Sequence, residues 1–219
     1  MQKKVNSKPK KNAFVFYDGN NFYHNVKKIR VKASDIDFSK LSEIACSHFN
    51  CLHKRSIYYN SVPDIKDNER MYWRHMKFLN EINELPKFSV KTRKLQKSST
   101  AEILLEKKEL LNSLGLCDKC KPIVDANCSD CIGNIKTREK GIDVMIAIDM
   151  LNLSVIENKC DCCILISGDA DFVPVLNLIK KRKKNVFSAF VAKGYSYELR
   201  KNVPFFILRR DLLLDKCLK

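Results

Sequence analysis

Four aspartates in this chain stand where carboxylates can do metal chemistry: Asp18, Asp143, Asp169 and Asp171. Asp18 ends the apolar run Phe14-Val15-Phe16-Tyr17 and is followed by Gly19-Asn20-Asn21. Asp169 and Asp171 come after a second such run, Cys163-Ile164-Leu165-Ile166-Ser167, across Gly168. A short apolar run bounded by a turn reads as a buried strand of a parallel sheet. Ligands of open α/β sheets bind beyond the carboxyl ends of such strands. Asp143 opens the apolar stretch Asp143-Val144-Met145-Ile146-Ala147-Ile148-Asp149, which places its carboxylate at a helix start. Several carboxylates converging on one point repel each other unless a cation is held between them. Mg²⁺ or Mn²⁺ is bound through carboxylate oxygens and retained waters, and beside a basic surface such a site suits phosphodiester hydrolysis.

Each of these residues also has a plainer reading. Asp143 and Asp171 fit as first-turn acids favoured by the helix dipole. Asp149 lies six residues beyond Asp143 and points away from it around a helix, as a supporting acid or the partner of a basic side chain. Asn20 and Asn21 suit a turn, or an amide placed to hold a water or a phosphate.

The elements that must position these acids alternate along the chain. Strands are expected at about 13–17, 57–60, 88–92, 163–166, 186–191 and 205–208. Helices are expected at 39–49, capped by Asp37 or Ser39, and at 64–83, 141–156, 171–183 and near 195–202. Trp73 lies beside the apolar stripe of the second helix and reads as a packing residue. Alternating strands and helices imply an α/β fold with a mainly parallel sheet of about five or six strands, covered on both faces. Residues 1–12 form a basic tail, residues 209–219 a C-terminal tail, and residues 98–140 interrupt the alternation.

Composition narrows the class further. At 219 residues and 45% hydrophobic content the chain can build one sizeable core. No apolar run approaches the ~18 residues of a membrane-spanning helix. The basic N-terminus is followed by no signal-peptide core, so a cytoplasmic location is expected. The net charge of +16 attracts polyanions, of which nucleic acid is the commonest. Lys27, Lys28, Arg93, Lys94, Lys97, Lys136, Arg138, Lys140 and Lys193 fall in segments expected near the acidic edge, as phosphate contacts. Lys180-Lys181-Arg182-Lys183-Lys184 closes a helix at the opposite end and reads as cations complementing the helix dipole. Phe22 and Tyr23 beside Asp18 suit base stacking or core packing equally. No groove-docking element is present, which favours single-stranded or structured RNA, with DNA a further candidate.

Four of the ten cysteines form a CxxC-x7-CxxC unit: Cys117, Cys120, Cys128 and Cys131. Two such knuckles satisfy tetrahedral Zn²⁺ and leave no open position, which marks a structural site within an insertion at about 114–135. The other reading is a reactive dithiol pair, but a redox CxxC normally opens a helix after a strand. Cys160, Cys162 and Cys163 lead into the buried strand as small hydrophobes.

Three motifs occur in order: Tyr17-Asp18-Gly19-Asn20-Asn21-Phe22, Lys140-Gly141-Ile142-Asp143-Val144 and Leu165-Ile166-Ser167-Gly168-Asp169-Ala170-Asp171-Phe172. Together, over roughly Ala13 to Phe206, the chain resembles the NYN domain, a branch of the PIN-like nucleases. The resemblance implies a PIN-like three-layer α/β/α domain over 13–208 and a Mg²⁺- or Mn²⁺-dependent ribonuclease cutting RNA endonucleolytically. It implies an acidic quartet of Asp18, Asp143, Asp169 and Asp171, with Asn21 and Ser167 as supporting residues. The alternative is an RNA-binding or adaptor protein of the same family with little turnover. A haloacid-dehalogenase-type phosphatase would need an acid where Asn20 stands, and neither GxxxxGK[ST] nor GxGxxG occurs.

Overall fold

The computed structural model describes residues 9–97, 100–129, 137–138 and 141–219. The chain divides into two units, one made of the residues up to Arg93 together with Gly141–Lys219, the other of Lys94–Lys140.

The first unit is built on six strands: β1 (Lys11–Asp18), β2 (Cys51–Val62), β3 (Phe88–Lys94), β6 (Cys162–Ile166), β7 (Asn185–Val191) and β8 (Phe205–Leu208). All run parallel, in the order β3-β2-β1-β6-β7-β8. The order reverses between β1 and β6, and that switch point is where a doubly wound sheet opens a crevice at its carboxyl edge. Tyr17 pairs with Ile166 across it and Asp18 pairs with Tyr59 on the other side.

Strand periodicity assigns the side chains of β1 and β6 to two cores. Ala13, Val15 and Tyr17 join Cys162, Ile164 and Ile166 in one. Helices α1 (Gly19–Lys28), α2 (Phe38–His48), α3 (Glu69–Asn83) and α9 (Arg210–Lys216) close that face through Phe22, Leu41, Leu79 and Leu213. Phe14 and Phe16 join Cys163 and Leu165 in the other core. That face is closed by α6 (Ile142–Leu151), α7 (Val173–Lys181) and α8 (Tyr197–Asn202) through Ile146, Leu176 and Leu199. The expected three-layer α/β/α architecture is therefore the observed one.

Several boundaries differ from the sequence expectation for identifiable reasons. Asn20 and Asn21 do not form a free turn; they lie in the first turn of α1, because the Asp18 side chain caps that helix. The helix expected from residue 64 starts at Glu69, where Asn68 caps it through the Met71 amide. Trp73 is exposed rather than packed, with Nε1 donating to Glu69 one turn earlier. The apolar helix expected over 141–156 is α6 followed by a wider π turn at Asn152–Ile156. Within 209–219, α9 places Leu213 and Cys217 in the core, and Asp37 N–H donates to Cys217 O at 2.7 Å.

The second unit contains α4 (Thr100–Ser113), α5 (Cys120–Ser129) and the antiparallel pair β4 (Gln96–Lys97) and β5 (Thr137–Arg138). Among the described residues no helix is long and apolar enough to cross a membrane.

Candidate active site

The carboxyl ends of β1 and β6 are fastened together by side chains, chiefly Ser167. Its Oγ–H donates to Asp18 Oδ2 at 2.9 Å, and the same oxygen accepts from the Asp169 amide at 3.2 Å. Asp18 Oδ1 accepts from the Asn21 amide at 3.1 Å, which caps α1. Asp169 Oδ1 accepts from the Asp171 amide at 3.1 Å and caps the 3-10 turn Ala170–Phe172. Both aspartates are thus fixed by backbone donors at the start of a helical turn.

Asn21 ties the two motifs from the other direction. Its Oδ1 accepts from Gly168 N–H at 3.0 Å and from Asn25 Nδ2 at 2.8 Å. Asn25, buried in α1, also donates to Gly194 O at 3.1 Å, and Ser196 N–H donates to Gly168 O at 2.8 Å. The backbones approach so closely that a Cβ on Gly168 would lie 2.3 Å from Gly194 O, and one on Gly194 2.0 Å from Asn25 Oδ1. Glycine is required at both places by space, and Gly194 also by its φ of +103°. Sequence reasoning missed Asn25 and Gly194. The available signal was the i,i+4 spacing of Asn21 and Asn25, which puts two amides on one helix face.

Further along the rim, Asn20 Nδ2 donates to Ser61 Oγ at 2.7 Å, and Asn60 Nδ2 lies 3.4 Å from His75 Nε2. Burial lowers the His75 pKa, so the ring is neutral at physiological pH. Phe22 is buried against Tyr17, whereas Tyr23 is exposed. Of the two, only Tyr23 is free to meet a base.

Asp143 stands in the first turn of α6, which packs against the Ala170–Phe172 turn and against β1 and β2. Asp18 and Ser167 follow in phase with the side chains that face α6, Phe16 and Leu165, while Asp169, Asp171 and Asp143 stand at the starts of the helical segments on that side. Among the described residues no three His, Cys, Asp or Glu side chains lie close enough to share an ion. The Asp18 carboxylate faces the Ser167 hydroxyl and the Asn21 amide, and that of Asp169 the Asp171 amide. The donor set itself, hard carboxylate oxygens with amide support, is of the kind that holds Mg²⁺ or Mn²⁺. Asp149 points elsewhere, as expected: it accepts from Tyr59 OH at 2.7 Å and from Lys91 Nζ at 2.6 Å, anchoring α6 to β2 and β3.

The candidate phosphate contacts divide. Lys27 and Lys28 are exposed on the last turn of α1, and Lys28 Nζ donates to Asn25 Oδ1 at 2.9 Å. Arg93 is exposed and reaches Gly141 O at 3.4 Å, just before the Asp143 helix. Lys94 is exposed at the end of β3 and belongs to the second unit. Arg138 lies on β5, while Lys136 and Lys140 fall outside the described residues.

Of the cysteine tetrad, Cys117 and Cys120 are exposed free thiols. Amide and thiol donors of Cys120, with the Lys119 amide, hold the Cys117 thiol below its usual pKa range. Amides aimed at a thiolate are what a CxxC metal knuckle offers. Cys128 lies in the last turn of α5, and Cys131 falls outside the described residues.

No curated protein matches the chain. Among solved structures it is similar to a protein of unknown function from Vibrio parahaemolyticus, with a TM-score of 0.57, 18% identity and full coverage of both chains. That likeness shows a shared fold. Residues 12–209 match the NYN domain. With the three motifs gathered at one switch-point rim and the match spanning nearly the whole sequence, the chain belongs to the NYN domain family, a family of PIN-like nucleases.

Proposed function

We propose that this protein is a divalent-metal-dependent ribonuclease that cuts RNA endonucleolytically at the rim carrying Asp18, Asp143, Asp169 and Asp171. The observation that carries this reading is the Ser167 bridge, which joins the Asp18 and Asp169 turns across the switch point. Asp18, Asp143, Asp169 and Asp171 would hold Mg²⁺ or Mn²⁺, which supplies Lewis-acid polarisation of a phosphoryl group and a lowered pKa for water. Ser167 and Asn21 orient the carboxylates and close the two turns on each other, a preorganisation that fixes where negative oxygens stand before substrate arrives. Lys27, Arg93, Lys94, Lys136, Arg138 and Lys140 serve as phosphate contacts, positioning the strand without reading its sequence. Cys117, Cys120, Cys128 and Cys131 hold a structural Zn²⁺ that orders the insertion.

The test is cleavage of a labelled single-stranded RNA with Mn²⁺, with EDTA, and with the Asp169→Asn variant. Cleavage is expected only with metal and native Asp169. Undiminished cleavage by Asp169→Asn would sink the site. A second reading, an RNA-binding protein of the same family with little turnover, is favoured by there being, among the described residues, no three His, Cys, Asp or Glu side chains within reach of one ion. Salt-dependent RNA binding with no cleavage at any Mn²⁺ concentration would select it.

A further inference from the structure

We infer that the amino edge of the sheet, opposite the acidic rim, is a second RNA contact surface built on Lys180, Lys181, Arg182, Lys183, Lys10 and Lys11. The inference rests on RNA being the ligand of the rim and adds where else the strand is held. Helix α7 begins beside the Asp169–Asp171 turn and ends at Lys181, and β7 starts at Asn185, paired with the first residue of β6. Lys180–Lys184 therefore lies at the far end of the sheet from the acids. Backbone bonds link this corner to the start of β1: Asp161 N–H donates to Asn12 O at 2.9 Å, and Asn185 N–H to Asp161 O at 3.0 Å. Lys11 and Lys184 flank the two ends of that link, about two strand spacings, or ~10 Å, apart.

The cations of this run are not needed by the helix they close. The last carbonyls of α7 are met by backbone donors: Arg182 N–H reaches Leu178 O and Ile179 O, Lys183 N–H reaches Lys180 O, and Lys184 N–H reaches Ile179 O. The helix dipole amounts to about half a charge at this end, which one cation balances. Lys184 has a structural task, its Nζ donating to Asn158 Oδ1 and to Cys160 O. Lys180, Lys181, Arg182 and Lys183 have none: all are exposed, and none pairs with an acid among the described residues. The neighbouring acids are engaged, Asp161 accepting from the Asn12 amide and Glu157 pairing with Lys159. Four consecutive exposed cations without an acidic partner repel one another, and a polyanion joining them relieves that repulsion. The α7 helix is only ~14 Å long, so a single strand leaving the rim can run along the molecule to this edge.

The experiment replaces the run with K180Q, K181Q, R182Q and K183Q together and measures RNA binding by fluorescence anisotropy in EDTA over a range of salt. The probes are single-stranded RNAs of about thirty and about six nucleotides, long enough and too short to reach both surfaces. For the long RNA the variant should bind at least ~10-fold more weakly, and the magnitude of its salt slope should fall by about 3, near 0.7 per lost contact. Binding of the short RNA, and its cleavage with Mn²⁺, should be unchanged, which also certifies the fold. Equal long-RNA binding by both proteins overturns the surface while leaving the rim reading intact. Equal weakening toward the short RNA overturns it as well, since the effect would not be local to a second contact. So does an equal loss toward polyglutamate, because the surface would then not select RNA. Because binding is read without metal, failure of Asp169→Asn to abolish cleavage is a separate outcome.

Discussion

Replacing Ser167 with alanine removes one oxygen from two places at once: the donor to Asp18 Oδ2 and the acceptor of the Asp169 amide. A buried hydrogen bond to a carboxylate costs about 1–3 kcal/mol when its partner is deleted, because the charge keeps its desolvation penalty. Supporting residues of this kind change metal affinity or activity by about 10- to 100-fold. Ser167→Ala should therefore need about 10-fold more Mn²⁺ for half-maximal RNA cleavage, and it should unfold at lower urea. A Mn²⁺ titration with the labelled single-stranded RNA, alongside urea denaturation, checks both; unchanged Mn²⁺ dependence would deny Ser167 its role in positioning. Ser167 was legible in the sequence because it stands directly before Gly168-Asp169. Asn25 was not, since an asparagine in a helix interior looks like any polar residue until Asn21 and Gly194 are placed beside it.

At the scale of elements, β2 carries a titration that the site does not use. His53 is buried near its start, and burial, then the nearby Lys87, lowers its pKa to about 4. Its Nε2 lies 2.8 Å from Ser56 Oγ, which continues through Ser42 Oγ to Tyr17 OH. In the unfolded chain the imidazole takes up a proton near pH 6.5. Between that value and about 4 the unfolded state therefore binds a proton that the folded state refuses, so stability falls as pH is lowered through this window. The loss reaches about 3 kcal/mol at most, and His53→Gln should flatten it; urea midpoints from pH 7 to pH 4 measure both slopes. Parallel slopes for the two proteins would mean that other groups dominate. Nothing in the sequence distinguished His53 from the other histidines, because what surrounds it, the Ser56 hydroxyl and the Phe88 ring at the start of β3, is brought there only by the fold. The strands, by contrast, were legible as apolar runs. Helix α1 was obscured by the two asparagines after Gly19, and only the Asp18 cap explains why the helix starts there.

Across the whole molecule, the two units separate what the sequence could say from what it could not. The parallel sheet follows from the alternation of strands and helices, while the order of its six strands is seen only in the fold, where the acids at β1 and β6 mark the switch point. Lys94–Lys140 has no such pattern to follow; the zinc site proposed on Cys117, Cys120, Cys128 and Cys131 would supply the organisation that a sheet does not. A small unit that closes on a metal loses its fold when the metal is removed, whereas a sheet with two cores of its own does not. Purified protein should carry about one zinc per chain. After treatment with a strong zinc chelator, limited proteolysis should cut within residues 94–140, leaving the flanking segments associated and the main thermal transition in place. Cuts distributed through β1 or β6 would mean that the insertion supports the sheet, and protein purified without zinc but equally resistant to protease would mean that the four cysteines hold no metal. Since Arg138 and the proposed contacts Lys94, Lys136 and Lys140 all belong to this unit, zinc removal should also weaken RNA binding in EDTA-free buffer without changing Asp18 or Asp169. That pairing of local proteolysis with weaker binding is the signature expected of an insertion that presents cations to the strand.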